Sequence, residues 1–102
     1  MSINLENVVA INDKRPGHEG FRVIATATLG NPGLRPVLVR PEIRHKGGWE
    51  VLELKVDKPD GSFLQVLTRK AVVFEEARLN GWSTVEIVCA GKTQQVEILT
   101  VE

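Results

Sequence analysis

Apolar and polar side chains alternate with a period of two along most of this chain, and clusters of Gly, Pro, Asn and Asp break the alternation at intervals of roughly ten residues. That period belongs to strands with one buried face, and such frequent breaks leave no room for helices of ordinary length. An all-β fold is the expectation.

The first strand is expected over Ile3 to Ile11, with Ile3, Leu5, Val9 and Ile11 on one face, and the loop Asn12 to Gly20 ends it. In the second, Phe21, Val23, Ala25, Ala27 and Leu29 alternate with Arg22, Ile24, Thr26 and Thr28, up to the stop at Gly30-Asn31-Pro32-Gly33. In the third, Val37, Val39, Pro41 and Ile43 face inward and Arg40, Glu42, Arg44 and Lys46 outward. Pro41 has no N–H to give to a ladder, which places this strand at an edge or a bulge. Gly47-Gly48 supplies the positive φ angles of a tight hairpin into Trp49 to Asp57. Lys58-Pro59-Asp60-Gly61 turns the chain into a strand from Ser62 to about Thr68. Ala71 to Phe74 reads as strand, whereas Glu75 to Leu79 ahead of Asn80-Gly81 reads as a short helical turn with a left-handed cap. Ser83, Val85, Ile87 and Cys89 share an apolar face, Ala90-Gly91-Lys92 turns, and Thr93 to Val101 returns.

About seven strands in one domain, residues 1–102, predict an antiparallel β-sandwich of two packed sheets, with a small β-barrel of the same strands as the alternative. A chain of this length buries roughly 60–70% of its unfolded surface, enough for one core without metals or disulfides. The segment Leu79 to Lys92, followed by Val96 to Val101, resembles the last two strands of an immunoglobulin-like or fibronectin-like sandwich. Ile87 stands where those families usually carry a Tyr, so the resemblance implies shape alone.

Thirteen Lys and Arg balance thirteen Asp and Glu, so no long-range field draws in nucleic acid or an anionic membrane. The signs are unevenly placed: Arg22, Arg35, Arg40, Arg44 and Lys46 crowd the first half, and Glu75, Glu76, Glu86, Glu97 and Glu102 weight the second. Folding that kept them apart would make a basic patch. Cys89 is the only cysteine, which excludes an internal disulfide and fits a reducing compartment. The first residues lack the pattern of a signal peptide, and no apolar run approaches the ~20 residues of a membrane span, so a cytoplasmic location is expected.

Arg40-Pro41-Glu42-Ile43-Arg44 has the RxxxR spacing, and Asp60-Gly61-Ser62 downstream approaches the DxSxxG, of PilZ domains, β-barrels that bind cyclic diguanylate. The resemblance implies a nucleotide site at Arg40, Arg44, Asp60 and Ser62, with paired guanidinium groups on the phosphates. Gln65 replaces the motif's glycine. The plain reading of the same residues is a solvated strand face and an Asp-Gly turn.

His18, Glu19, His45 and Cys89 lack the close pairing of a structural zinc site, so no metal is expected. Cys89 falls on an apolar face, where burial opposes the thiolate, and no phosphate loop or carboxylate pair stands out, so an enzyme is not expected and no cofactor is implied. Trp49 and Trp82 are the largest side chains able to anchor a partner, and Ile24, Val8, Val88, Leu99 and Val101 add apolar groups on faces expected to be polar. The function expected is a non-catalytic protein-interaction or assembly module, contacting another protein or a second copy through Trp49, Trp82, Arg22 and Lys46. A PilZ-like sensor is the alternative.

Overall fold

Strand by strand, the computed structural model follows the alternation where cross-strand partners agree with it. It describes residues 4–41, 49–58, 66–89 and 91–102. These form β1 (Asn4–Asp13), β2 (Gly20–Leu29), β3 (Arg35–Val39), β4 (Glu50–Asp57), β5 (Thr68–Glu76), β6 (Thr84–Cys89) and β7 (Lys92–Val101). In β2 the inward set is the expected one: Phe21, Val23, Ala25, Ala27 and Leu29 are all buried. In β6, Val85, Ile87 and Cys89 likewise point into the core.

The seven strands join in one mixed sheet ordered β3-β4-β6-β7-β1-β2-β5, rather than in two antiparallel sheets packed face to face. Two neighbour pairs, β1 with β7 and β4 with β6, are parallel. Strand patterns carry side-chain parity but not partner choice, so these long-range parallel pairings leave no mark in the alternation. The sheet curls until its two end strands, β3 and β5, approach each other, giving a nearly closed, barrel-like shape with the core inside. Phe21, Leu29 and Leu52 are completely buried there, each stabilising the fold by about 1.5–3 kcal/mol.

Two strands depart from the expected parity. In β1 the pairing with β2 slips between Glu6 and Val9, at a bulge where Asn7 takes a φ of 55°. Asparagine tolerates this left-handed conformation better than most residues. Beyond the bulge the two faces exchange, so Ala10 and Asn12 enter the interior while Val9 turns out to solvent. In β3 it is Leu38 that is buried and Val37 that is exposed, and the strand stops at Val39. Arg40, two residues beyond Leu38, therefore follows it to the inner side instead of standing on a solvated face.

The remaining expectations divide. The third strand does lie at an end of the sheet, but Pro41, on which that expectation rests, falls beyond its end, and the proline inside it is Pro36. The helical turn at residues 75–79 is replaced by extension of β5 through Glu76, because β2 pairs with it as far as Phe21 opposite Glu76. The Gly47-Gly48 hairpin and the strand start at Ser62 lie outside the described residues. Among the described residues, no helix is long and apolar enough to cross a membrane.

Gly20 opens β2 against the end of β5, and a Cβ built on it would lie 2.6 Å from the Glu76 carbonyl oxygen. Gly20→Ala is expected to destabilise the protein by about 1–3 kcal/mol in urea denaturation, as overpacking against backbone does. Gly81→Ala, where an added Cβ would meet nothing within 4 Å, serves as the near-neutral control.

Candidate functional site

Where β3 and β5 end and β4 begins, Arg40 lies between two carboxylates. Its Nη2 donates to Glu76 Oε1 at 2.9 Å and to Glu50 Oε2 at 3.3 Å, and its Nη1 donates to Glu76 Oε2. The guanidinium lies over the Phe74 ring, 5.2 Å from its centroid, and Phe74 meets Phe21 edge-on at 6.1 Å. Glu76 above all raises the Arg40 pKa, burial opposes the rise, and Glu50 adds to it. The charge of Arg40 is thus compensated in place.

Asn80 connects this ion pair to the β5–β6 loop. Its backbone N–H donates to Asn12 Oδ1 and its carbonyl accepts from Asn12 Nδ2, both at 2.8 Å, so the Asn12 amide mimics a strand partner. Its own side chain donates to Glu50 Oε2 at 2.9 Å and accepts from the Trp82 N–H at 2.9 Å. Burial on its own would raise the Glu50 pKa, but hydrogen bonds from Asn80, Arg40 and the Val51 N–H hold it below its ordinary value. Beyond this anchor the loop projects outward, with Leu79 41% and Trp82 47% exposed and Arg78 exposed beside them. These residues, with Arg40, Glu50, Glu76 and Gly81, line a cleft of about 290 Å³.

The other residues singled out from the sequence are dispersed. Arg22 donates to Asp13 Oδ2 at 3.2 Å and to the His18 carbonyl at 3.2 Å. Asp13 also accepts from Arg15, whose guanidinium and backbone N–H hold its carboxyl well below the usual carboxylate range against the effect of burial. Trp49 Nε1 donates to Glu86 Oε2 at 2.6 Å, and its side chain is half-buried. Arg44, Lys46, Asp60 and Ser62 lie outside the described residues, as does His45. Cys89 is buried and its pKa is raised by that burial, with Lys92 opposing. Among the described residues, no three His, Cys, Asp or Glu side chains gather as metal ligands.

Of the basic residues that crowd the first half, Arg40 is met by Glu76 from the acidic half and Arg22 by its neighbour Asp13. Asn12, Glu50, Glu76 and Asn80 are not legible as site residues in the sequence, since they converge from four separate segments. Asn80-Gly81 carries a turn signal, but it closes no helix, and Gly81 does not take the positive φ of a left-handed cap. No protein family, curated protein or solved structure matches this chain.

Arg40→Met keeps an apolar stem over Phe74 but leaves two carboxylates uncompensated. It is expected to cost about 3 kcal/mol in urea denaturation at neutral pH, near the low end for broken buried pairs because Arg40 is 24% exposed. Adding Glu50→Gln and Glu76→Gln to it should recover most of that loss. Glu50 and Asp13 both have folded pKa values below their ordinary 4.5 and 3.8, so their contributions are complete above those values and lost as pH falls through the folded ones. Denaturation at a series of acidic pH values should show stability declining below about pH 4.5, with a shallower decline in Glu50→Gln.

Proposed function

We propose that this chain is a non-catalytic protein-interaction module whose contact residues stand on the β5–β6 loop. The observation that carries this reading is the four hydrogen bonds of Asn80, which fix the loop while Leu79 and Trp82 remain about half exposed on either side. Tryptophan and arginine are the side chains most enriched among residues that dominate binding energy, and Trp82 and Arg78 flank the same anchor. Because the loop is already ordered, a partner is spared much of the entropy of fixing it.

Other features support the non-catalytic reading. Cys89 lines a second cavity, of about 170 Å³, beside Lys92, whose charge favours the thiolate but does not outweigh the burial that keeps the thiol protonated. The sensor reading has against it that a phosphate at Arg40 would displace Glu50 and Glu76. A buried free thiol suits a reducing compartment, in keeping with a cytoplasmic location.

The test compares immobilised wild type, Trp82→Ala and Lys55→Ala, an exposed β4 position away from the loop, against one cell extract, followed by titration of the recovered partner. Wild type and Lys55→Ala should retain the partner, and Trp82→Ala should weaken it about thirty-fold, as loss of a dominant anchor does. Equal affinity for Trp82→Ala would remove the loop as the contact. A wild type that recovers no specific partner would overturn the module itself.

A further inference from the structure

The bulge in β1 has an outcome on the far side of the sheet. By turning Val9 outward it completes an apolar row that runs through directly paired residues: Val9 of β1 opposite Ile24 of β2, and Ile24 opposite Val73 of β5. Ile11 and Leu99, paired between β1 and β7, continue the patch next to it. Val9, Ile24, Val73 and Leu99 are 39%, 40%, 50% and 52% exposed. In a two-sheet sandwich such a face could meet the second sheet, but here the core lies wholly on the opposite side. Three neighbouring strands carry large apolar groups to solvent at one level, and Leu99 on a fourth stands two residues further along with Ile11, level with Arg22 and Glu75. This is more than the scattered exposure usual for a monomer.

The charges around this row specify its occupant. Along the outer side of β5 the residues read Glu75, Val73, Ala71, Arg69, all exposed: acid, two apolar groups, base. A two-fold axis lying in the contact plane and crossing β5 between Ala71 and Val73 puts Glu75 of each copy opposite the partner's Arg69, and Val73 opposite the partner's Ala71. Along β5 the pattern is its own complement under that operation, as an isologous interface requires, while on β2 and β1 the same axis sets Ile24 and Val9 against the partner's Thr26 and Glu6. Arg69 is available for it, because its intramolecular pairing with Glu6 is long, at 3.8 Å, and its side chain is 71% exposed. The chain's net charge of zero removes the general repulsion that would oppose association of like copies.

We infer that the outer face of β7, β1, β2 and β5 joins two copies of this chain in a symmetric dimer, with Val9, Ile24 and Val73 at its centre and reciprocal Glu75–Arg69 pairs at its rim. This contact is independent of the β5–β6 loop and survives any failure of that site. Strand spacing and rise give the patch a footprint of roughly 14 by 20 Å. That is small beside the ~800 Å² per partner of a standard interface, so the dimer is a weak, concentration-dependent one.

Sedimentation velocity from about 10 µM to about 1 mM reads the association directly. Wild type should move towards twice the chain mass, and Val73→Lys should stay monomeric throughout, with dispersed amide NMR spectra verifying that each variant is folded. Arg69→Glu alone and Glu75→Lys alone should each be monomeric, since each sets like charges opposite one another twice. Their equimolar mixture should dimerise again, because both rim contacts are then of opposite sign. Lys55→Glu and Glu102→Lys, which carry the same net charges at exposed positions off this face, should each dimerise like wild type. A wild type that stays monomeric to 1 mM, a dimer that persists in Val73→Lys, or a mixture no more associated than its two components would each overturn the inference.

Discussion

Closure of the sheet depends on bringing together β3 and β5, two strands that share no backbone ladder. They run in the same direction, as the alternation of parallel and antiparallel neighbours across the sheet requires. Side chains hold the seam at both ends. At one end Lys70 Nζ donates to the carbonyls of Pro32 and Leu34 at 2.6 and 2.8 Å. At the other, Arg40 reaches across to Glu76 while holding Glu50 at the start of β4. Proline at position 36 removes one donor from the β3 edge, and the strand is short. Polar side-chain contacts thus stand where a further ladder would otherwise have formed. The core supplies most of the stability, since each fully buried Phe or Leu contributes about as much as a broken ion pair would cost. The ion pair determines how the edges meet.

The two ends of the seam differ in what they leave exposed. Lys70 makes its contacts with main-chain oxygens and ends there. Arg40 passes its order on, through Glu50 to Asn80 and from Asn80 to the backbone of Trp82. The same network that closes the sheet therefore sets the position of the most exposed tryptophan. Structure and proposed binding are coupled at that end, and a change at Arg40 would disturb the loop even though it touches no partner.

Much of the strand content is legible in the sequence because a half-buried strand writes its face into alternate residues, and β2 shows this cleanly from Phe21 to Leu29. The arrangement of strands is not. Parallel pairing of β1 with β7 joins the two ends of the described chain, and no local signal announces a contact of that sequence separation. Parity fails in two places for separate reasons. A single left-handed Asn7 exchanges the faces of β1, which a pattern read with fixed period cannot anticipate. Just past the end of β3, Arg40 takes an inward position that a polarity rule assigns to an apolar residue, because two carboxylates from distant strands meet it there. Arg40 stands out in the sequence as an unusual residue, but the partners that explain it are acids of this chain.

The bulge and the inward arginine are connected by what a single curved sheet demands. A barrel-like sheet has one inside, so every residue that leaves it enters solvent and every charge that enters it must be neutralised there. Glu50 and Glu76 meet the second demand within the chain. Nothing among the described residues meets the first, since Val9, Ile24 and Val73 stand in one row on the convex side. Sheets with that exposure are stable in isolation, yet each retains an unrealised gain of burial. The polar exception was resolved by folding, and the apolar one is left for association.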